Sequence, residues 1–138
     1  MLSLSPSDGF APCPAPFNMA AHVLAKAATL GDKSALSVIA PDGAATWTYA
    51  ALEAAVRGTA TGLLALGLVP GDIVLMRLGN TVDCPLAYLG ALGAGLVPVP
   101  TAAALTEPEV NAIVETLQPK AILNDPAVSC PDVAGVVT

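Results

Sequence analysis

The sequence predicts an α/β fold: a mainly parallel sheet with helices on both faces, preceded by a β-hairpin. Three observations lead there. From Phe17 onward, helical and strand patterns alternate on short connections, which implies parallel pairing through right-handed crossovers. Strands such as "IVLM" (residues 73–76) are apolar at every position, as in a sheet covered above and below. The turn Pro41-Asp42-Gly43 separates two short strand-like runs, the pattern of a hairpin.

The elements follow in order. Asn18 is placed to cap a helix running to about Leu30, with Gly31 as its stop. Residues 35–40 and 44–47 make the hairpin. Thr48 caps a helix from Tyr49 to Leu66, closed by Gly67, and Glu53 and Arg57 lie four apart on it in the favourable order for an ion pair. On this helix Leu52, Val56 and Leu63 form an apolar stripe beside a stripe of Ala51, Ala55, Gly58 and Gly62. A mid-helix glycine costs about 1 kcal/mol relative to alanine. Close approach of another backbone usually offsets such a cost, so Gly58 and Gly62 are expected beneath another element.

The turn at residues 69–72 opens a strand from Ile73 to Leu78. Thr81 or Asn80 is expected to cap a helix from about Val82 to Leu92, and "LVPVP" (residues 96–100) reads as a short strand. Thr106 and Glu109 have capping-box spacing, with Pro108 in the first helical turn, where proline is tolerated. "KAILND" (residues 120–125) is the last strand.

Composition bounds the rest. A chain of 138 residues holds one domain with a real core. Residues 1–16 read as a disordered Pro-rich arm without the basic start and apolar run of a signal peptide. Residues 17–138 form the α/β unit. The net charge is −6, and the five basic residues (Lys26, Lys33, Arg57, Arg77, Lys120) are scattered, which excludes a nucleic-acid surface. Mean hydropathy is +0.69, and residues 84–106 carry no charge over a length sufficient to span a bilayer. That window contains Pro85, Pro98, Pro100 and several glycines, so a helix followed by a buried strand fits it better than a transmembrane span. Cys13, Cys84 and Cys130 are odd in number and lack a CxxC pair, which suggests unpaired thiols in a reducing, cytoplasmic compartment. Cys84 reads as a small core residue.

No residue pattern in the chain carries chemistry by itself. "GALGAG" (residues 90–95) spaces its glycines as G-x-x-G-x-G, the reverse of the dinucleotide fingerprint, and lies at a helix end. Anions gather at helix N-termini, so these glycines read as a helix stop and a tight turn. There is no G-x-x-x-x-G-K-[ST] stretch. His22 is the only histidine and has no partners for a triad; no cluster has metal-ligand spacing. Asp72 reads as a turn residue and Asp83 as a helix-start residue that suits the dipole. No catalytic, cofactor-binding or metal-ligating residue is assigned.

Taken as a series, four stretches resemble the N-terminal part of the AMP-forming adenylating enzymes: acyl- and aryl-CoA ligases, peptide-synthetase adenylation domains and luciferases. They are Trp47-Thr48-Tyr49 with Leu52-Glu53, "LGLVPGDIVLM", "AYLGALGAGLVPVP" and "LTEPEVNAIVETLQPKAIL". The resemblance covers roughly residues 17–125, and "FNMAAHVLAKAATLGDKSAL" with "LVPVP" is similar to the benzoate type of CoA ligase. Gly79 stands where the family often has proline, Gly93 where it often has lysine, and "TAAALT" replaces a commoner Asn-Pro stretch. The resemblance implies an enzyme that activates a carboxylic acid with ATP and Mg²⁺ to an acyl-AMP and passes the acyl group to a thiol such as CoA. The family's phosphate loop, Mg²⁺ carboxylate, ribose aspartate and mobile-domain lysine all lie downstream of the matched segment. The segment is therefore expected to bind no cofactor alone and to be inactive. Its expected partners are the remaining domains of such a ligase, or a second copy of itself. The alternative is a non-catalytic α/β interaction module or a degenerate fragment.

Overall fold

The computed structural model describes Pro12, residues 14–41, 43–133 and Val136. Its elements are α1 (Met19–Val23), β1 (Ser34–Ala40), β2 (Gly43–Thr48), α2 (Tyr49–Ala65), β3 (Ile73–Arg77), α3 (Asp83–Gly93), β4 (Val97–Pro100), α4 (Glu107–Leu117) and β5 (Ala121–Asn124). β1 and β2 pair antiparallel as the expected hairpin; β4, β3 and β5, in that spatial order, form a parallel three-stranded sheet.

The two faces of this sheet are covered differently, as alternation along its strands requires. Val74 of β3 and Ala121 of β5 face a cluster with Leu63 and Leu68 (in and just after α2) and Ala91 of α3. Their neighbours Leu75 and Ile122 face the other way, onto Val110 and Val114 of α4. Val74, Leu75, Ala121 and Ile122 are all essentially fully buried. The fold is thus α/β with helices on both faces. A third cluster, Leu24, Leu52 and Val56, seats the hairpin and α1 against α2.

Several boundaries differ from expectation. Asn18 caps α1 as anticipated, its side chain accepting from the Ala21 amide at 3.0 Å, but the helix ends at Val23. Residues 24–30 continue as tight turns, with Ala27 N–H donating to Leu24 O and Thr29 N–H to Lys26 O. Three-residue periodicity puts Leu24 and Ala27 on one face, and both are buried. Neither Asn80 nor Thr81 caps α3. The N-cap is Val82, without a side-chain bond, because the Thr81 hydroxyl donates to Asp83 instead, at 3.2 Å. At α4 the Glu109 carboxylate accepts from the Thr106 amide at 2.8 Å and from its hydroxyl at 2.7 Å.

The glycines carry the main correction. Gly58 and Gly62 lie on an exposed face of α2, and a Cβ at either would meet nothing within 4 Å. The close approach is made by Gly90, within α3, where a Cβ would come 2.5 Å from Thr59 Cγ2 and 2.7 Å from Thr59 Cβ. Gly90 is therefore a helix–helix contact and not part of the helix stop. Gly93 ends α3, and Gly95, at φ +75°, makes the turn into β4 against Pro70. In β4 itself the chain bonds β3 through Val97 N–H to Asp72 O and, just past it, Thr101 N–H to Met76 O. Pro98 and Pro100 stand opposite Val74 and Met76. Among the described residues no helix is long and apolar enough to cross a membrane.

Candidate functional site

In an open parallel sheet, ligands collect at the carboxyl ends of the strands, where successive crossovers leave in opposite directions. Here β3 leads through α3 to β4 on one side, and β4 leads through α4, across the other face, to β5. The switch point lies between β3 and β4, and the chain fills it with its own side chain.

Arg77, the last residue of β3, shares the α4 face with Leu75 and is completely buried. Its guanidinium reaches two segments. Nη1 donates to Ala102 O at 2.6 Å and Thr101 Oγ1 at 3.3 Å, and Nη2 to Leu105 O at 3.3 Å. On the other side Nη2 and Nε both donate to Ser129 O, at 2.6 and 3.1 Å. A buried charge is costly unless hydrogen-bonded. Backbone carbonyls and one hydroxyl meet the need here, and among the described residues no carboxylate forms an ion pair with it. The fork is fully engaged by the protein, so it has no donor left for a phosphate. Sequence reasoning counted Arg77 only among scattered cations. The signal was its place as the one charge ending an otherwise apolar strand.

Beside the switch point, on the β3–β5 side, an open cleft of about 670 Å³ is bounded by Thr59, Thr81, Asp83, Asn124, Asp125 and Pro126. Thr59 Oγ1 is committed to Ala55 O at 3.0 Å, and one Asp125 oxygen accepts from the Ala127 amide at 2.9 Å. No Lys, Arg or His lines this cleft. A second groove, of about 570 Å³, runs between α1 with its following turns and α2, lined largely by alanines. Its charges are Glu53 and Arg57, paired with each other at 3.6 Å on the surface.

The residues singled out from sequence stay apart. His22 is exposed on α1, its ring 5.4 Å from that of Phe17. Asp72 accepts from the Val69 amide at 2.8 Å within its turn, and Asp83 stands in the first turn of α3. Cys84 and Cys130 are free and partly buried; Cys13 lies outside the described residues. Burial pushes the Cys130 thiol up, with Glu107 adding to the shift and Arg77 opposing it. Among the described residues no group of three His, Cys, Asp or Glu side chains could hold a metal ion. Neither cleft gathers clustered cations: no Lys, Arg or His lines the first, which carries Asp83 and Asp125, and Arg57 is the one cation of the second.

Comparison with known proteins places this geometry. The family model described as AMP-binding enzyme matches residues 23–137. The chain is 34% identical over 76 residues to the long-chain-fatty-acid–CoA ligase FadD13 of Mycobacterium tuberculosis, covering 55% of this chain and 15% of that protein. It is 33% identical over 96 residues to 4-coumarate–CoA ligase 1 of Petroselinum crispum, covering 68% of this chain and 17% of the relative. A benzoate CoA ligase from Burkholderia xenovorans superposes with a TM-score of 0.72 at 33% identity, over 80% of this chain and 22% of that one. The chain thus spans less than a fifth of both curated relatives. Motif order, sheet topology and these matches agree: the chain belongs to the AMP-binding enzyme family.

Proposed function

We propose that this chain is the N-terminal scaffold segment of an AMP-forming acyl- or aryl-CoA ligase. The observation that carries the reading is the family match over residues 23–137, together with relatives that are themselves CoA ligases. In the complete enzyme, ATP would activate a carboxylic acid, with Mg²⁺, and the acyl group would pass to a thiol such as CoA. Residues 17–138 supply the layered α/β support for that site and no reacting group. The groups that hold nucleotide and metal come from the remaining domains, which are the segment's partners.

Two measurements test this. DNA following the Thr138 codon is expected to encode, in frame, a Ser/Thr/Gly-rich loop ending in lysine; an unrelated sequence would leave the interaction-module reading in its place. Titration calorimetry of the 138-residue chain with Mg-ATP is expected to show no micromolar binding, since neither cleft gathers cations for three phosphates. A micromolar dissociation constant would overturn the division of labour.

A further inference from the structure

We propose that Arg77 is a conformational clamp that makes the loop after β4 and the turn after β5 open and close as one unit. Thr101–Leu105 lies in the crossover from β4 to α4, and Asp125–Ser129 follows β5. Each is tied to β3 at its start, through Thr101 N–H to Met76 O and Asp125 N–H to Arg77 O. Leu105 N–H bonds only within its own loop, to Ala102 O, and Val128 N–H within its own turn, to Asp125 O. Arg77 bonds both, through Ala102, Thr101 and Leu105 on one side and Ser129 on the other. The Ser129 hydroxyl, donating to Glu107 at 3.2 Å, ties the turn to the start of α4 and not to the loop itself.

The geometry of the fork makes this a coupling and not two separate attachments. Nη2 donates to Leu105 O and to Ser129 O, so one nitrogen serves both segments. The guanidinium is planar and rigid, and its donors are fixed relative to one another. If either segment lifts away, the cation loses part of its shell while still buried, which weakens its hold on the other. The clamp also reaches the open cleft. Asp125 and Pro126 form part of that cleft's wall, and they lead directly into the turn that Ser129 anchors. Displacing that wall therefore moves the loop at residues 101–105, which lines neither cleft.

Native-state hydrogen exchange read by mass spectrometry on the whole 138-residue chain tests the clamp. In the unmodified protein, Leu105 and Val128 are expected to exchange through one opening, with matching protection and the same dependence on urea. Distinct protection and distinct urea slopes would overturn the proposal. Arg77→Lys, which keeps the charge and loses the fork, is expected to speed exchange at both segments together by about tenfold or more, with β1 and β2 unchanged. Thr101→Val guards against a variant that does not fold. It removes a single acceptor of Arg77, together with the Thr101 hydroxyl bond to Met76 O. Faster exchange at Val128, which Thr101 does not touch, supports transmission through Arg77; faster exchange in the 101–105 loop alone refutes it.

Discussion

Replacing glycine by alanine at positions 58, 62 and 90 should move stability in opposite directions. Gly58 and Gly62 are exposed in the middle of α2, and an added methyl meets nothing within 4 Å. Each alanine removes backbone freedom from the unfolded chain at no steric cost, which stabilises by about 1 kcal/mol. The double variant Gly58→Ala/Gly62→Ala should gain about 2 kcal/mol, and its melting temperature should rise by roughly 6–10 °C for a chain of this size. At Gly90 the same methyl would sit 2.5 and 2.7 Å from two carbons of Thr59 and 3.4 Å from the Ala60 amide. Thr59 is β-branched, and its hydroxyl is bonded to Ala55 O, so it cannot swing aside. Separating α2 from α3 costs about 1–3 kcal/mol, against about 1 kcal/mol of helix propensity gained. Gly90→Ala should therefore lose about 1 kcal/mol net. Urea denaturation followed by circular dichroism, at a concentration where the chain is monomeric, measures all three. If Gly58→Ala and Gly62→Ala destabilise, that face of α2 is covered in solution. If Gly90→Ala stabilises as they do, the α2–α3 contact is not a rigid one.

Three further outcomes are expected. Glu109 is held below the usual carboxylate range, first by the Thr106 amide and then by the Thr106 hydroxyl, with slight desolvation opposing. A depressed carboxylate contributes stability that is present above its unfolded pKa and lost as pH falls through the folded value; an NMR titration of Glu109 with a midpoint at or above the ordinary glutamate value would refute this. The raised Cys130 thiol should alkylate with iodoacetamide at pH 8 more slowly in the folded chain than in urea, and equal rates would show an open thiol. Ile39, Leu66 and Val69 are more than half exposed. With so little charge around them, light scattering should report a mass that rises with concentration, whereas a constant single-chain mass at high concentration would show that the segment closes its own core.

The layers of the fold were legible in the sequence because periodicity and caps agree there. Thr48, Pro70-Gly71, Thr106 with Glu109 and the apolar run at residues 73–76 each state a local preference that the tertiary structure keeps. What failed were inferences that needed a neighbour. The small-residue stripe on α2 was read as a contact, but composition cannot say which face of a helix is covered, and the contact is made by Gly90 against Thr59. The first helix stopped early because residues 24–30 bury Leu24 and Ala27 with a tighter repeat than an α-helix has. Arg77 was invisible as a clamp because all but one of its partners are carbonyls, 25 to 52 residues away, and carbonyls have no sequence signature.

The two prolines of β4 give the sheet a direction of growth. Successive residues of a strand aim their amides to opposite sides, and Val97 and Thr101 aim theirs at β3. The nitrogens of Pro98 and Pro100 therefore lie along the far margin, where neither carries a hydrogen to donate. A strand approaching there would find carbonyls but no amides at those two positions, and no regular ladder would form. β5 has no proline between Ala121 and Asn124, and among the described residues no strand pairs with its outer margin, which keeps its donors and acceptors. A further strand would find a regular ladder more readily beside β5 than beside β4. The segment is terminated on one side and receptive on the other.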